Sequence, residues 1–252
     1  METKIAGEVA VLQMRAGKAN AIGAAFLDQL SAQLDAVESS RASALVLTGE
    51  GTAFSAGLNL PEVSRLDRAE LERFIRRFSE VMLRVFTLPV PVVAAINGHA
   101  IAGGCVLAMQ ADVRLAAAGD YRIGLNEVQI GLGLPAVVVE TLRAQVSPAS
   151  LTPVALEGRL LAPEESLALG LVEAVVPPAV LVEQARGRAV GLAALPRSAF
   201  GDVKHALRGP VAAAVRRVER EDARRWVDVA FSAATRERLD EIVSRLNRPR
   251  QP

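Results

Sequence analysis

The stretch Val92-Val93-Ala94-Ala95-Ile96-Asn97-Gly98-His99-Ala100-Ile101-Ala102-Gly103-Gly104-Cys105-Val106 decides how this chain is read. Its first five residues form a short strand that is apolar on both faces. A glycine-rich turn follows, and a helix runs from Gly103 to Ala111. A strand without a polar face belongs in a sheet that is covered on both sides, which favours parallel pairing. The same alternation extends outward in both directions. Val9 to Met14 reads as a strand. Ala24 to Val37 reads as an amphipathic helix, with Phe26, Leu30, Leu34 and Val37 at helical spacing. Ser43 to Thr48 is a buried strand ended by Gly49-Glu50-Gly51. Leu71, Phe74, Ile75, Phe78, Val81, Met82 and Val85 mark a long second helix, which Pro89 and Pro91 stop. Asp112 to Ala116 is a further strand. Strands that alternate with helices predict an α/β fold.

From Pro135 onward the pattern turns mainly helical. Pro163-Glu164-Glu165 opens a helix that Gly170 ends, and Val172 to Val176 is a short strand. Gly191 to Pro196 reads as a joint. It divides the chain into a core over residues 1–195 and a helical region over residues 196–252. The latter has helical segments at Ser198–Leu207, Val211–Ala230 and Thr235–Leu246. This last part is too thin for a core of its own, so it is expected to pack on the main domain or on another subunit. The terminal Arg248-Pro249-Arg250-Gln251-Pro252 is expected to fray.

The 252 residues suit one large domain or a domain with an appendage. A formal net charge of +1 gives no electrostatic case for nucleic acid or an anionic membrane. No apolar run reaches the roughly 18 residues of a membrane span, and no signal or transit peptide is visible. The single cysteine, Cys105, excludes an internal disulfide framework and fits a reducing, cytoplasmic compartment. Set among Ala, Gly and Val, it reads as a buried small side chain. No Cys/His/acid cluster has metal-ligand spacing, so neither a metal nor a redox cofactor is expected.

Two glycine-containing turns follow buried strands: Gly49-Glu50-Gly51-Thr52-Ala53-Phe54-Ser55-Ala56-Gly57-Leu58-Asn59-Leu60, and Asn97 to Gly104. Each places backbone N–H groups at the start of a helix, where they favour negative charge. Two such groups from separate turns can converge on one carbonyl oxygen; strand–turn–helix units of this kind also occur where nothing binds. Neither turn is a Walker A or G-x-G-x-x-G phosphate motif. Ser55 lacks a G-x-S-x-G elbow, and His99 reads as a hydrogen-bonded structural histidine.

At these residues the chain resembles the enoyl-CoA hydratase/isomerase (crotonase) superfamily. The resemblance rests on Ala53-Phe54-Ser55-Ala56-Gly57-Leu58-Asn59-Leu60 and on Asn97 to Cys105. Ala19-Asn20-Ala21 and Ala168-Leu169-Gly170-Leu171-Val172 stand in the family's order. The resemblance implies a crotonase-like spiral of ββα repeats. It also implies C-terminal helices that mediate homotrimers or dimers of trimers, and acyl-CoA thioesters as ligands, with coenzyme A as part of the substrate. It gives the Leu58 and Gly103 N–H groups as an oxyanion hole. The backbone around Lys18-Ala19 and from Ala53 to Ala56 would hold the CoA moiety, and Leu60, Leu132 and Leu134 would line the acyl tunnel.

The departures matter as much. Family hydratases use two glutamates. One matches Glu127; Val106 stands where the other belongs. Asn59 occupies a place where the family commonly has Asp. Gly124-Leu125-Asn126-Glu127 looks like the Δ3,Δ2-enoyl-CoA isomerases, which work with a single glutamate. One carboxylate suffices to move a proton between two carbons, whereas adding water across a double bond ordinarily takes two acid/base groups. The reading is therefore an isomerase with Glu127 as its base. A hydratase or another crotonase-type lyase or hydrolase, and a catalytically silent acyl-CoA-binding protein, are the alternatives.

Overall fold

The computed structural model describes residues 1–246, so the terminal run Arg248–Pro252 lies outside the described residues. Strands β1 (Glu2–Ala6) and β2 (Val9–Met14) form an antiparallel hairpin. Helix α1 (Ala24–Ser39) follows, with Phe26, Leu30, Leu34 and Val37 buried as their spacing requires. A repeating unit comes next. Its first copy is β3 (Ala44–Gly49), β4 (Ala53–Ser55), the short α2 (Leu60–Val63) and α3 (Arg68–Thr87). The second is β5 (Val92–Ile96), β6 (His99–Ile101) and α4 (Gly103–Met109). The third is β7 (Val113–Ala117), β8 (Ile123–Gly124) and α5 (Ala136–Gln145).

In each unit the first strand joins one sheet and the second joins another. With β9 (Ala174–Val176) at its edge, the larger sheet runs β1-β2-β3-β5-β7-β9, and the smaller runs β4-β6-β8. Among the described residues, the named strands beyond the β1–β2 hairpin all pair in parallel, and β8 adds one antiparallel bridge from Ile123 to Leu161. This is the α/β spiral of ββα units. All residues of β3, β5 and β7 are buried, as strands covered on both faces must be.

The smaller sheet positions the site. It brings the end of β4 beside the end of β6, so the turn after Ser55 lies against the turn before Gly103. The approach admits no side chain at two glycines. A Cβ on Gly104 would stand 2.1 Å from the Ser55 carbonyl oxygen. Gly57 has φ +85°, and a Cβ there would stand 2.7 Å from the Ile101 carbonyl oxygen.

Helix α3 starts at a capping box, with the Glu70 N–H on the Asp67 side chain at 2.8 Å and the Asp67 N–H on Glu70 at 2.9 Å. The C-terminal part contains α6 (Pro163–Ala168), α7 (Leu181–Ala193), α8 (Arg197–Ala230) and α9 (Ala233–Leu246). The expected break between Leu207 and Val211 does not occur: α8 runs unbroken through Gly209 and Pro210. Tertiary anchoring on both sides outweighs the proline. Ahead of it, Lys204 Nζ donates to the Val90 carbonyl at 2.9 Å and to Asp112 Oδ2 at 2.7 Å. Arg208 donates to the Phe86 and Gln110 carbonyls at 2.8 Å each and lies over the Phe86 ring. Beyond it, Ala212 and Val215 are buried. Helix α8 packs on α3 and α5, and Trp226 Nε1 donates to the Gly133 carbonyl at 2.8 Å. The helices after Pro196 therefore bury apolar residues against the core of their own chain. Among the described residues no helix is long and apolar enough to cross a membrane.

The planar fork of Arg208 spans the Phe86, Gln110 and Ala111 carbonyls from two nitrogens, a reach that a compact ammonium lacks. Arg208→Lys is expected to lower stability by about 2 kcal/mol, read as a shifted urea midpoint at constant m-value.

Candidate active site

A cavity of about 720 Å³ opens where the two glycine turns meet. Its walls come from the loop before α1, from α1 and α3 through Phe26, Ile75 and Phe78, and from both turns. The segment from Asn126 to Pro135 and the late residues Trp226, Ile242 and Leu246 complete it. Most of this lining is apolar, so a charge placed here meets little compensation.

Glu127 opens the 3-10 turn Glu127–Ile130, which ends at the left-handed Gly131. The turn carries the carboxylate inward: Glu127 is buried, and its Oε2 has no hydrogen-bond partner. Burial pushes its pKa from the ordinary value up to about 7. An unpartnered, desolvated carboxylate of this basicity is suited to proton abstraction near neutral pH. Val106, in the first turns of α4, lines the same cavity and supplies no acid.

The N–H groups of Leu58 and Gly103 have no acceptor among the described residues. At Leu58 the reason is visible in the neighbouring bonds. The Ile22 N–H donates to the Gly57 carbonyl at 2.7 Å, and the Asn59 N–H donates to the Ile22 carbonyl at 2.9 Å. This parallel bridge takes up the groups on either side of Leu58 and turns the Leu58 N–H away from Ile22. At Gly103, the first residue of α4, the preceding Ala102 N–H goes to the Gly124 carbonyl at 2.8 Å, and the Gly103 N–H has no earlier turn to bond to. A Cβ on Gly57 would stand 3.1 Å from the Gly103 nitrogen, so the two turns touch where these donors lie.

The backbone here is held under strain. Ala19, Asn20 and Ala102 have φ of 57°, 52° and 50°; conformations of this kind cost on the order of 1–3 kcal/mol each and persist only where their surroundings over-determine them. Asn20 does much of that. Its Oδ1 accepts from the Ala16 N–H at 2.9 Å, and its Nδ2 donates to the Ala53 and Phe54 carbonyls at 3.1 and 3.2 Å. Ser55 Oγ donates to the Asn20 carbonyl at 2.7 Å and accepts from the Gly57 N–H at 3.2 Å.

The cavity gathers Ala19, Ala56, Leu58, Leu60, Gly103, Glu127 and Leu132 from the expected residues. Two others lie outside its lining. Ala53 is buried in β4, paired with His99 and bonded through its carbonyl to Asn20, so it does not line the cavity. Leu134 packs against the core just ahead of Pro135 and does not line it either. Lys18 begins the turn Lys18–Asn20 beside Ala19, so its backbone adjoins the cavity wall. The Cys105 thiol is buried, and burial is the main cause that pushes its pKa up to about 12, so it stays protonated. His99 Nδ1 accepts from the Arg122 N–H at 3.2 Å, a structural bond.

Two polar residues that line the cavity, Gln29 and Glu62, did not stand out in the sequence. Both oxygens of Glu62 are taken: Oε1 accepts from the Ala24 N–H at 2.9 Å and Oε2 from Asn59 Nδ2 at 2.8 Å. Its acidic place in the first turn of α2 was the available signal. Its partner Ala24 lies too far away in sequence to be foreseen.

A ββα spiral with free backbone donors facing a cavity is the crotonase fold. The chain belongs to the enoyl-CoA hydratase/isomerase family, whose sequence pattern matches residues 4–246. It is 40% identical over 149 residues to a putative enoyl-CoA hydratase of Thermus thermophilus, covering 58% of this chain and 58% of that protein. It is 33% identical over 172 residues to the human mitochondrial enoyl-CoA delta isomerase 1, covering 67% of this chain and 57% of that protein. The matched stretches thus span just over half the length of each relative. The crystal structure of human mitochondrial delta3-delta2-enoyl-CoA isomerase superposes with a TM-score of 0.90 at 28% identity, over 95% of this chain and 94% of that one. Hydratase and isomerase names both occur among the relatives, so the reaction has to be argued from the site.

Proposed function

We propose that this protein is an enoyl-CoA isomerase that moves the double bond of a 3-enoyl-CoA to the trans-2 position. The observation that carries this reading is Glu127, a carboxylate with a free oxygen in a cavity where the lining residue 106 is an apolar valine. The thioester carbonyl accepts hydrogen bonds from the Leu58 and Gly103 N–H groups. These stabilise the negative charge that develops on oxygen as the C2–H bond breaks. Glu127 takes the C2 proton and the C2–H pair is delocalised onto the thioester oxygen as a dienolate; when the carbonyl re-forms, the double bond lies between C2 and C3 and the former C3–C4 π pair takes the proton back from the same carboxyl at C4. No redox group or metal enters this sequence of steps. Coenzyme A is the substrate's own handle, held by backbone around Lys18, Ala19 and Ala56. Leu60 and Leu132 flank the acyl chain. Glu62 does not serve as a second acid, because both its oxygens are engaged. The proposed assembly is a homotrimer or a dimer of trimers formed through the C-terminal helices.

Incubation with 3-hexenoyl-CoA tests the reading: 2-hexenoyl-CoA should form faster than any 3-hydroxyacyl-CoA. Preferential hydration of crotonyl-CoA would instead mark a hydratase, and absence of turnover a binder. The pH profile is a separate check. Glu127 must be ionised to act, so kcat/KM should rise about tenfold per pH unit below roughly 7 and level off above it. A profile flat between pH 5.5 and 8.5 would remove Glu127 as the base.

A further inference from the structure

We infer that Leu239 and Ala230 set the length of the acyl chain, as the back wall of a second, smaller cavity behind Leu60 and Leu132. The inference rests on the acyl path proposed above. The two leucines continue the two catalytic segments. Leu60 follows the Leu58 donor on one, and Leu132 closes the turn that Glu127 opens on the other, its N–H on the Glu127 carbonyl at 2.9 Å. A chain that starts at the Leu58 and Gly103 N–H groups and passes Glu127 therefore runs on between Leu60 and Leu132. Beyond them, among α2, α3, α8 and α9, lies a further space of about 10 Å³. Leu60, Leu132 and Trp226 line both cavities and form the partition between them. Val63, Leu71, Ala230 and Leu239 line only the smaller one, and all four are buried.

The smaller space is close to the least that admits one water, and it gives water little to bond. Its polar residues are Ser64 and Arg236. Arg236 Nη1 donates to the Ser64 carbonyl at 2.9 Å, and the guanidinium lies 3.9 Å from the centre of the Phe231 ring. This bond ties the end of α2 to α9, so the back wall is braced. The partition is rigid on one side only. Trp226 is pinned through Nε1 to the Gly133 carbonyl at 2.8 Å, whereas the two leucines have no polar bond and turn between rotamers. The terminal methyl of an acyl chain can pass them into apolar space, where each methylene removed from water gains affinity. The gain ends where the chain meets Leu239 and Ala230. The substrates are thus 3-enoyl-CoAs of bounded length.

The experiment measures kcat/KM for 3-hexenoyl-, 3-octenoyl-, 3-decenoyl-, 3-dodecenoyl- and 3-tetradecenoyl-CoA. Calorimetry on the matching saturated acyl-CoAs gives Kd without turnover. In the parent, kcat/KM should rise about fourfold per added methylene up to an optimum. It should then fall by about tenfold or more at the next longer substrate. Leu239→Ala deepens the smaller cavity and should move the optimum about two carbons longer. Ala230→Val fills it and should move the optimum about two carbons shorter. The Kd series should shift in the same two directions. Loss of stability alone would lower all substrates together and would not move an optimum both ways. A parent that binds the series with these shifts but does not isomerise loses the proposed reaction and keeps this inference. A folded Leu239→Ala with the parental length profile in both rate and binding overturns it. If Leu239→Ala does not fold, a parental profile in Ala230→Val does the same. So does a parent whose kcat/KM and affinity climb through 3-tetradecenoyl-CoA without an optimum.

Discussion

Glu127→Gln is expected to lower kcat for 3-enoyl-CoA isomerisation by about 10²–10⁴, the scale of a general base, while acyl-CoA binding persists. The amide keeps the shape of the side chain and loses its basicity, so the loss should fall on kcat rather than on KM. Stability should move the other way. The folded protein holds the Glu127 proton up to about pH 7, whereas the unfolded chain releases it near the ordinary value of 4.5. Between these values the folded state binds more protons than the unfolded one, so stability falls as pH rises across that window and is level above it. The parent therefore carries a cost of roughly 3 kcal/mol above pH 7 that the variant lacks. Melting curves should show the variant gaining on the parent as pH rises from 4.5 to 7. A variant that isomerises at the parental rate sinks the assignment; one that is slow and also less stable at pH 8 would point to a structural carboxylate instead.

The same pair of effects shows which parts of the molecule were legible in advance. Strands β3, β5 and β7 are apolar on both faces, and α1 and α3 repeat their apolar residues at helical spacing, so local pattern and burial agree. The smaller sheet left no such trace. Its strands have three, three and two residues, too few for any period to show, and they exist because β4, β6 and β8 are brought together by the larger sheet. Gly209-Pro210 reads as a helix break in sequence. It is overridden by Lys204 and Arg208, whose partners come from segments about a hundred residues away. Within the site, Glu127 and the two turns stood out because a carboxylate among apolar neighbours and paired glycines are local signals. Glu62 did not, since its role depends on the space at Gly23 and on the Ala24 N–H. Ala53 lay in the right stretch but on a strand whose bonds are committed to pairing.

The identity of residue 106 is the step at which isomerase and hydratase chemistry part. Val106 lines the cavity that holds Glu127, and its N–H closes the first turn of α4 on the Ala102 carbonyl at 2.9 Å, so its Cα is firmly placed. Val106→Glu would set a second carboxyl on that wall. Two carboxyls in one apolar site do not ionise together; one keeps its proton and the other loses it. The ionised group can then activate water while the protonated one delivers a proton to C2. Hydration of crotonyl-CoA should therefore rise from a near-zero baseline to a measurable rate, and Val106→Gln, with the same shape and no acid, should stay at the baseline. The added bulk and the partly unpaired acid should cost about 1–3 kcal/mol of stability. The double variant Val106→Glu with Glu127→Gln should lose the new activity, because one carboxyl alone cannot fill both roles. If Val106→Glu folds, binds acyl-CoA and hydrates nothing, the wall at 106 does not face C3, and the division between the two reactions must lie elsewhere in the cavity.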